Sequence, residues 1–181
     1  MLFRSQCYFD AVLEASLRSS CEAAMLGANY DVMLTPPAVF EPYILPELSR
    51  WADRFHEAGK LLFTHTDGEN DGLAELFVRS GVDVADSVCP KPMTRLTLSD
   101  YREAFGEKIA IWGGICSTAV LEGSFTEEQF EQHISDAVDA IGDGRGIIFS
   151  IADTTPPEAS LDRVRRIGER LADHEIPSQE T

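Results

Sequence analysis

Three side chains that could bind a metal ion or transfer protons follow short apolar runs of the sequence. His65 and Asp67 close the run LLFTHTD, and Asp153 follows the run GIIFSIA. Residues at positions i and i+2 of an extended strand point to the same side, so His65 and Asp67 can face one point. An imidazole with two carboxylates suits zinc or another divalent ion, and three protein ligands leave one position open for a substrate. The alternative is that His65 only hydrogen-bonds Asp67 or a neighbouring strand.

Other reactive side chains follow the same apolar runs. Glu69 and Asp86 are candidate catalytic acids or bases, because carboxyl groups can exchange protons with a bound substrate. We expect four more side chains to line the pocket: Thr35, Cys89, Trp112 and Cys116. The two cysteines are alternative soft metal ligands, or they are small buried hydrophobes. Trp112 is either part of the core or a surface on which a ligand stacks.

The elements that must position these residues are strands and helices in alternation. The apolar, β-rich runs are DVMLT (31–35), LLFTHT (61–66), VDVADSV (82–88), IAIWGGI (109–115) and GIIFSIA (146–152). They lack strict polar–apolar alternation, which is typical of parallel strands buried on both faces. Repeated βα units predict an α/β fold with a parallel sheet. Because such folds place their sites at the carboxyl ends of strands, the candidate residues should share one cavity.

Helical patterns fill the intervals between the runs. The predicted helices cover residues 7–26, 46–57, 72–81, 97–106, 126–142 and 160–172. Gly27 is expected to end the first helix, because glycine readily adopts the left-handed conformation of a helix C-cap. Thr126 and Gln129 have the spacing of a capping box. The last helix should place Leu161 on its apolar face, together with Val164, Ile167 and Leu171.

Composition excludes several classes of function. A chain of 181 residues with 44% hydrophobic content predicts one domain over residues 1–175, with a flexible tail at 176–181. No run of about 18 apolar residues and no long apolar leader occurs, so we expect neither a membrane span nor a secretory signal. A net charge of −16 argues against nucleic acid as a partner. Four cysteines without CxxC pairing indicate reduced thiols and a cytoplasmic location.

The order of landmarks resembles the C-terminal half of the uroporphyrinogen decarboxylase superfamily. The landmarks are the strand end HTDG, the segment ELFVRSGVDV, the strand WGGI with the later helix start SFTEEQ, and the closing IIFSIADTTPP. The resemblance implies a (β/α)8 barrel, of which this chain would form about the last five βα units. The superfamily contains decarboxylases and also methyltransferases that move methyl groups to or from corrinoid cofactors or thiols.

The methyltransferase branch has an HxC motif where this chain has His65 and Asp67, and a further cysteine where it has Asp153. The resemblance therefore implies a zinc site in which carboxylates replace thiolates. Such ligands leave the metal more positive, which favours an oxygen-centred methyl donor over a thiol. We expect methyl transfer on a small molecule, assisted by a divalent metal ion, zinc before others, and linked to a corrinoid supplied by a partner protein.

Two alternatives accompany this interpretation. One is a carboxy-lyase of tetrapyrrole metabolism that uses Asp86 or Asp153 as its charged catalytic group. Against it, the decarboxylase branch has a histidine at the position of Asp153 and an arginine-bearing N-terminal segment without counterpart here. The other is an inactive half-barrel that needs a partner. Five units cannot close eight strands, so we expect the exposed sheet edges to pair with a second copy or a partner chain.

Overall fold

Five parallel strands form one sheet in which the spatial order follows the chain order. The strands are β1 (Ala23–Met25), β2 (Leu61–His65), β3 (Val84–Val88), β4 (Ala110–Ile115) and β5 (Ile147–Ile151). The computed structural model describes residues 2–27 and 29–174, so the predicted tail at 176–181 lies outside the described residues. The sheet does not close, and β1 and β5 are its edges. The predicted α/β fold with part of a barrel is confirmed.

One helix precedes β1, and further helices follow each strand. They are α1 (Leu2–Arg18), α2 (Pro37–Val39), a π-helical turn (Phe40–Ile44), α3 (Leu45–Glu57), α4 (Ala74–Ser80), α5 (Leu98–Phe105), a 3-10 turn (Ser117–Val120), α6 (Glu127–Ile141) and α7 (Leu161–Ala172). The capping box of α6 is confirmed, because the Thr126 side chain accepts a hydrogen bond from the Gln129 backbone N–H. No helix in the described part of the chain is long and apolar enough to cross a membrane.

The first strand lies earlier in the chain than the sequence predicts. Residues 31–35 were expected to form a strand, but they form a turn. The Asp31 carboxylate accepts the Met33 N–H, and the Asp31 carbonyl accepts the N–H groups of Leu34 and Thr35. An aspartate that bonds its own downstream backbone favours such turns over strands. The prediction at 31–35 is therefore wrong.

The first helix is correspondingly shorter than predicted. It ends at Arg18, and not at Gly27, so that Ala23–Met25 can pair with the start of β2. Ser19 follows the helix and its hydroxyl donates to the Ser16 carbonyl. This local bond offers the backbone a partner at the point where the α-helical ladder stops.

The last helix departs from its predicted apolar face at two positions. Leu161 is 82% exposed, whereas Arg163 is only 2% exposed. The Arg163 guanidinium reaches into the loop before α6 and donates to the carbonyls of Ala119, Leu121 and Phe125. A buried charge that finds several acceptors can occupy a core position that the hydrophobic pattern assigns to an apolar residue.

The two faces of the sheet differ in burial. On β2, Leu62 and Thr64 are fully buried beneath the helices, while Leu61 on the opposite face is 48% exposed. His65, Asp86, Trp112 and Ile148 are paired in register across β2 to β5, so they form one row on this second face. The second face is therefore the open, concave side of a partial barrel.

Candidate functional site

The structure brings His65, Asp67 and Asp153 together at the carboxyl end of the sheet. One ligand atom from each residue lies within 4.8 Å of the others. His65 ends β2 and Asp153 follows β5, with two strands between them in the sheet. Because the sheet curves, the distance between His65 Nε2 and Asp153 Oδ1 is only 3.9 Å. The expectation that the strand ends share one place is met for these three residues.

The charges of this cluster suit a cation. Burial raises the pKa of Asp67, and the nearby Asp153 carboxylate raises it further, while His65 acts in the opposite direction. One imidazole nitrogen and two carboxylate oxygens form a donor set for a borderline or hard divalent ion. A bound cation would relieve the repulsion between the two carboxylates. The residues present therefore fit a divalent metal ion.

Backbone conformation at Asp153 is unusual. Its φ of 54° lies in the left-handed region. Aspartate is one of the few residues other than glycine that occupies this region at modest cost. Such conformations gather at functional sites, where the surrounding structure holds them in place.

Two loop residues that the sequence analysis missed, Asn29 and Asp31, hold the loop that carries Asp67. Asn29 Nδ2 donates to Asp67 Oδ2 over 3.1 Å. Asp31 accepts the Glu69 N–H over 2.8 Å, which fastens the loop after β1 to the loop after β2. A Cβ on Gly68 would lie 2.8 Å from the Asp31 side chain, so this close approach requires glycine. The sequence signal for these contacts was the turn at Asp31. The apolar residues after Asp31 caused this segment to be predicted as a strand.

Asp86 contacts His65 directly. The two residues pair in register between β2 and β3, and Asp86 Oδ2 lies 2.7 Å from His65 Nδ1. The alternative in which His65 bonds a neighbouring strand is thus present in the structure. It occupies only Nδ1, and Nε2 still faces Asp153.

Glu69 has both carboxylate oxygens engaged by the backbone. Oε1 accepts the Asp71 N–H over 2.9 Å, and Oε2 accepts the Arg95 N–H over 2.8 Å. These bonds join the loop after β2 to the loop after β3. The catalytic role of Glu69 stays a prediction. Its observed contacts hold two loops together.

The two candidate cysteines are buried. Burial raises the pKa of Cys89 to about 12, and the neighbouring Cys116 contributes to this increase. Burial also raises the pKa of the Cys116 thiol. Both thiols are therefore protonated near neutral pH, whereas a metal ligand or nucleophile needs the thiolate. Their surroundings fit the alternative of small buried hydrophobes.

Thr35 lies in the loop after β1, and Trp112 lies on β4. Thr35 closes the Asp31 turn and is partly buried. Trp112 is partly buried on the open face, in the row that contains His65 and Asp86. Its ring meets Phe63 edge-on, with 5.9 Å between the ring centroids. Trp112 therefore lies in the same row of side chains as His65, and the pocket-lining roles of Trp112 and Thr35 stay predictions.

A cavity of about 680 Å³ lies elsewhere, at the amino ends of the strands. It is bordered by Asp83, Arg102 and Arg145. Arg102 donates to the carbonyls of Arg145 and Ile141, so its guanidinium is already used in holding the α6–β5 loop. The candidate ligands are at the other end of the sheet, where α/β folds carry their chemistry.

Comparisons with known proteins agree with this architecture. The family model described as uroporphyrinogen decarboxylase (URO-D) matches residues 8–174. A methyltransferase from Methanosarcina mazei is similar in structure, with a TM-score of 0.66 and 15% sequence identity. The similarity covers 92% of this chain and 45% of that chain, so the chain spans about half the length of this neighbour. No curated protein sequence matches the chain significantly.

Proposed function

The chain belongs to the uroporphyrinogen decarboxylase (URO-D) family, and on that premise we propose that it assists methyl transfer at a divalent metal ion. The observation that carries the proposal is the cluster of His65, Asp67 and Asp153, whose ligand atoms lie within 4.8 Å of one another. The similarity to a methyltransferase structure supports the choice of reaction within the family.

The residues would divide the task by position. His65 Nε2 and one oxygen each from Asp67 and Asp153 would hold the ion, with zinc as the first candidate. When bound, the ion would supply a Lewis acid for an oxygen of the methyl donor or acceptor. Asn29 keeps Asp67 in place by its hydrogen bond, and Asp86 does the same for His65. Trp112 and Phe63 provide an apolar surface beside the cluster.

Metal analysis tests the first half of the proposal. Purified protein, dialysed against zinc and then against metal-free buffer, is expected to retain about one ion per chain. His65→Ala should abolish retention. His174→Ala should leave it unchanged, because His174 contacts the Gly142 carbonyl at the far end of the sheet. Equal retention by both variants would exclude the cluster as the metal site.

Cobalt substitution identifies the ligand atoms. A site made of one histidine and two aspartates should give weak visible bands without the intense near-ultraviolet band of a cobalt–thiolate bond. Cys89→Ser and Cys116→Ser should leave this spectrum unchanged. A thiolate band that disappears in either serine variant would show that a cysteine is a ligand.

A corrinoid on a partner protein is the proposed methyl carrier. Free methylcobalamin can replace the partner in a first assay, because loss of its methyl group changes its visible spectrum. We expect demethylation that depends on the metal, on an added small-molecule acceptor and on His65. Methylcobalamin that stays intact with alcohol, phenol and thiol acceptors alike would contradict the corrinoid link.

The decarboxylase alternative has its own assay. Uroporphyrinogen carries many carboxylates, and at the cluster it would meet three aspartates, Asp67, Asp86 and Asp153. Like charges in a partly buried site disfavour its binding. We expect no coproporphyrinogen on incubation, and its formation would replace methyl transfer by decarboxylation as the proposed reaction.

A further inference from the structure

We infer that Asp86 is a positioning residue, which holds the proton of the neutral His65 ring on Nδ1 and so directs the Nε2 lone pair toward Asp67 and Asp153. The inference rests on the proposed function only in its consequence for metal binding. The proton position itself is a property of the protein alone. Asp86 would therefore act through His65, and not as the catalytic acid or base that its place in the sequence indicates.

The contact geometry decides the proton position. Asp86 Oδ2 and His65 Nδ1 are 2.7 Å apart, and both side chains are only about one-fifth exposed, 19% and 20%. An ionised carboxylate can only accept hydrogen bonds, so Nδ1 must be the donor. In a neutral ring the other nitrogen then has no proton, and this is the form that binds a metal. Nε2 faces Asp153 Oδ1 at 3.9 Å.

A bulge in β3 lies directly after Asp86, which itself keeps regular register with His65 and Trp112. The pairing of β3 with β4 shifts between Asp86 and Val88, and Ser87 between them has a φ of 66°. The extra residue of a bulge is left unpaired and bends the strand locally, here next to Asp86. Among the described residues the buried Ser87 hydroxyl has no hydrogen-bond partner, so no side-chain bond compensates this conformation. The fold holds Ser87 there through its neighbours.

Gly113 is the neighbour that permits the bulge. It has a φ of 144°, and a Cβ at this position would lie 2.4 Å from the Val88 carbonyl oxygen and 2.8 Å from the Val88 nitrogen. No real Cβ contact is this short, so β4 can approach the bulge only with glycine there. The glycine pair after Trp112 in the sequence thus includes a residue that helps position Asp86.

NMR of metal-free protein tests the proton position. Wild type and the Asp86 variants are labelled with ¹⁵N in their imidazoles, and their spectra are compared at a pH of about 8, where an ordinary imidazole is neutral. The signals that are lost in His65→Gln are assigned to His65. We expect the Nδ1–H form in wild type and a shift toward the Nε2–H form in Asp86→Ala. Asp86→Asn keeps a carbonyl acceptor and should retain more of the Nδ1–H form. An Nε2–H ring in wild type, or an unchanged ring in Asp86→Ala, overturns the inference.

Zinc affinity supplies the second readout. Loss of the partner that orients a metal-binding histidine typically weakens metal binding by about 10- to 100-fold. We expect a loss of this size in Asp86→Ala and a smaller one in Asp86→Asn. An equal loss in both variants with an unchanged His65 ring would identify Asp86 as a ligand and overturn the inference. If zinc binds to no variant, the proposed function fails, while the NMR comparison still decides the inference.

The role of the bulge is tested without touching either partner. Gly113→Ala should move the His65 ring toward the state seen in Asp86→Ala. Gly123→Ala is the matched control, because a Cβ there meets no atom within 4 Å. Circular dichroism confirms that each variant is folded. A folded Gly113→Ala protein with a wild-type His65 ring would remove the bulge from the explanation.

Discussion

Replacing Arg163 by methionine should destabilise the fold more than any surface change on the same helix. The guanidinium is 2% exposed and donates to three backbone carbonyls in the loop between β4 and α6. It also bonds Glu127 through Nε and lies 5.0 Å from the centre of the Phe130 ring. Arg163 therefore fastens that loop to α7.

The magnitude follows from what the substitution leaves behind. Methionine keeps part of the apolar packing but donates nothing, so three carbonyls lose a charged donor. A buried carbonyl that loses its hydrogen-bond donor costs about 1–3 kcal/mol. The three costs do not add in full, because the three carbonyls share one donor group and the loop can adjust around all of them. The charged partner that stays behind, Glu127, is 61% exposed, so water can replace that contact. We expect Arg163→Met to lower the free energy of unfolding by about 3 kcal/mol, the upper end of the cost of one such acceptor.

Urea unfolding followed by circular dichroism measures this loss, with an unchanged dependence on denaturant showing that the native state stays equally compact. Arg165→Met is the matched control, because Arg165 is 60% exposed and its ion pairs are with Asp162 and Glu169 on its own helix. Exposed pairs of this kind contribute about 0–1 kcal/mol. Equal effects of the two substitutions would refute the claim that burial and the carbonyl contacts make Arg163 important.

Three further outcomes are expected. In metal-free protein at pH 7, Asp67→Asn should raise the melting temperature. The raised pKa of Asp67 means that its ionised form destabilises the fold, and the gain should vanish as the pH falls below about 4, where the carboxyl is protonated in both states. A melting temperature that does not change at pH 7 would contradict this reasoning. Leu62→Ala, at a fully buried position, should cost about 2–5 kcal/mol, whereas Leu161→Ala at an 82% exposed one should cost about 0.5 kcal/mol or less; similar losses in urea unfolding would contradict the burial assignment. The open face, where Leu61 is 48% and Ile148 is 46% exposed, should drive association, so light scattering should give a mass above 20.0 kDa; a monomer at all concentrations would contradict it.

The sequence predicts the parts of the fold whose signals are local. The strands β2 to β5 and the helix ends at Gly81 and Gly106 follow from apolar runs and from glycines that adopt positive φ. The first strand was misplaced because Asp31 begins an apolar run, although its carboxylate closes a turn. Its apolar neighbour Met33 is 81% exposed. Composition alone does not distinguish an exposed apolar turn from a buried strand.

The candidate site is likewise predictable from the sequence only in part. His65, Asp67 and Asp153 could be predicted together because parallel strands deliver their carboxyl ends to one edge of a sheet. The contacts of Asn29 with Asp67 and of Asp86 with His65 depend on a loop conformation and on strand register. Neither is encoded in a short pattern. Residues that support ligands are for this reason harder to read from a sequence than the ligands themselves.

The half-barrel separates metal binding from enclosure of a substrate. All three candidate ligands and both supporting residues lie within the described part of the chain, so the proposed metal site has these residues on strands and loops that are present. The space beside it is different, because the concave face with Trp112 is open between the edges β1 and β5. The proposed methyl transfer would benefit from a site that excludes water. If a second copy or a partner chain covers the open face, we expect it to change turnover more than metal affinity.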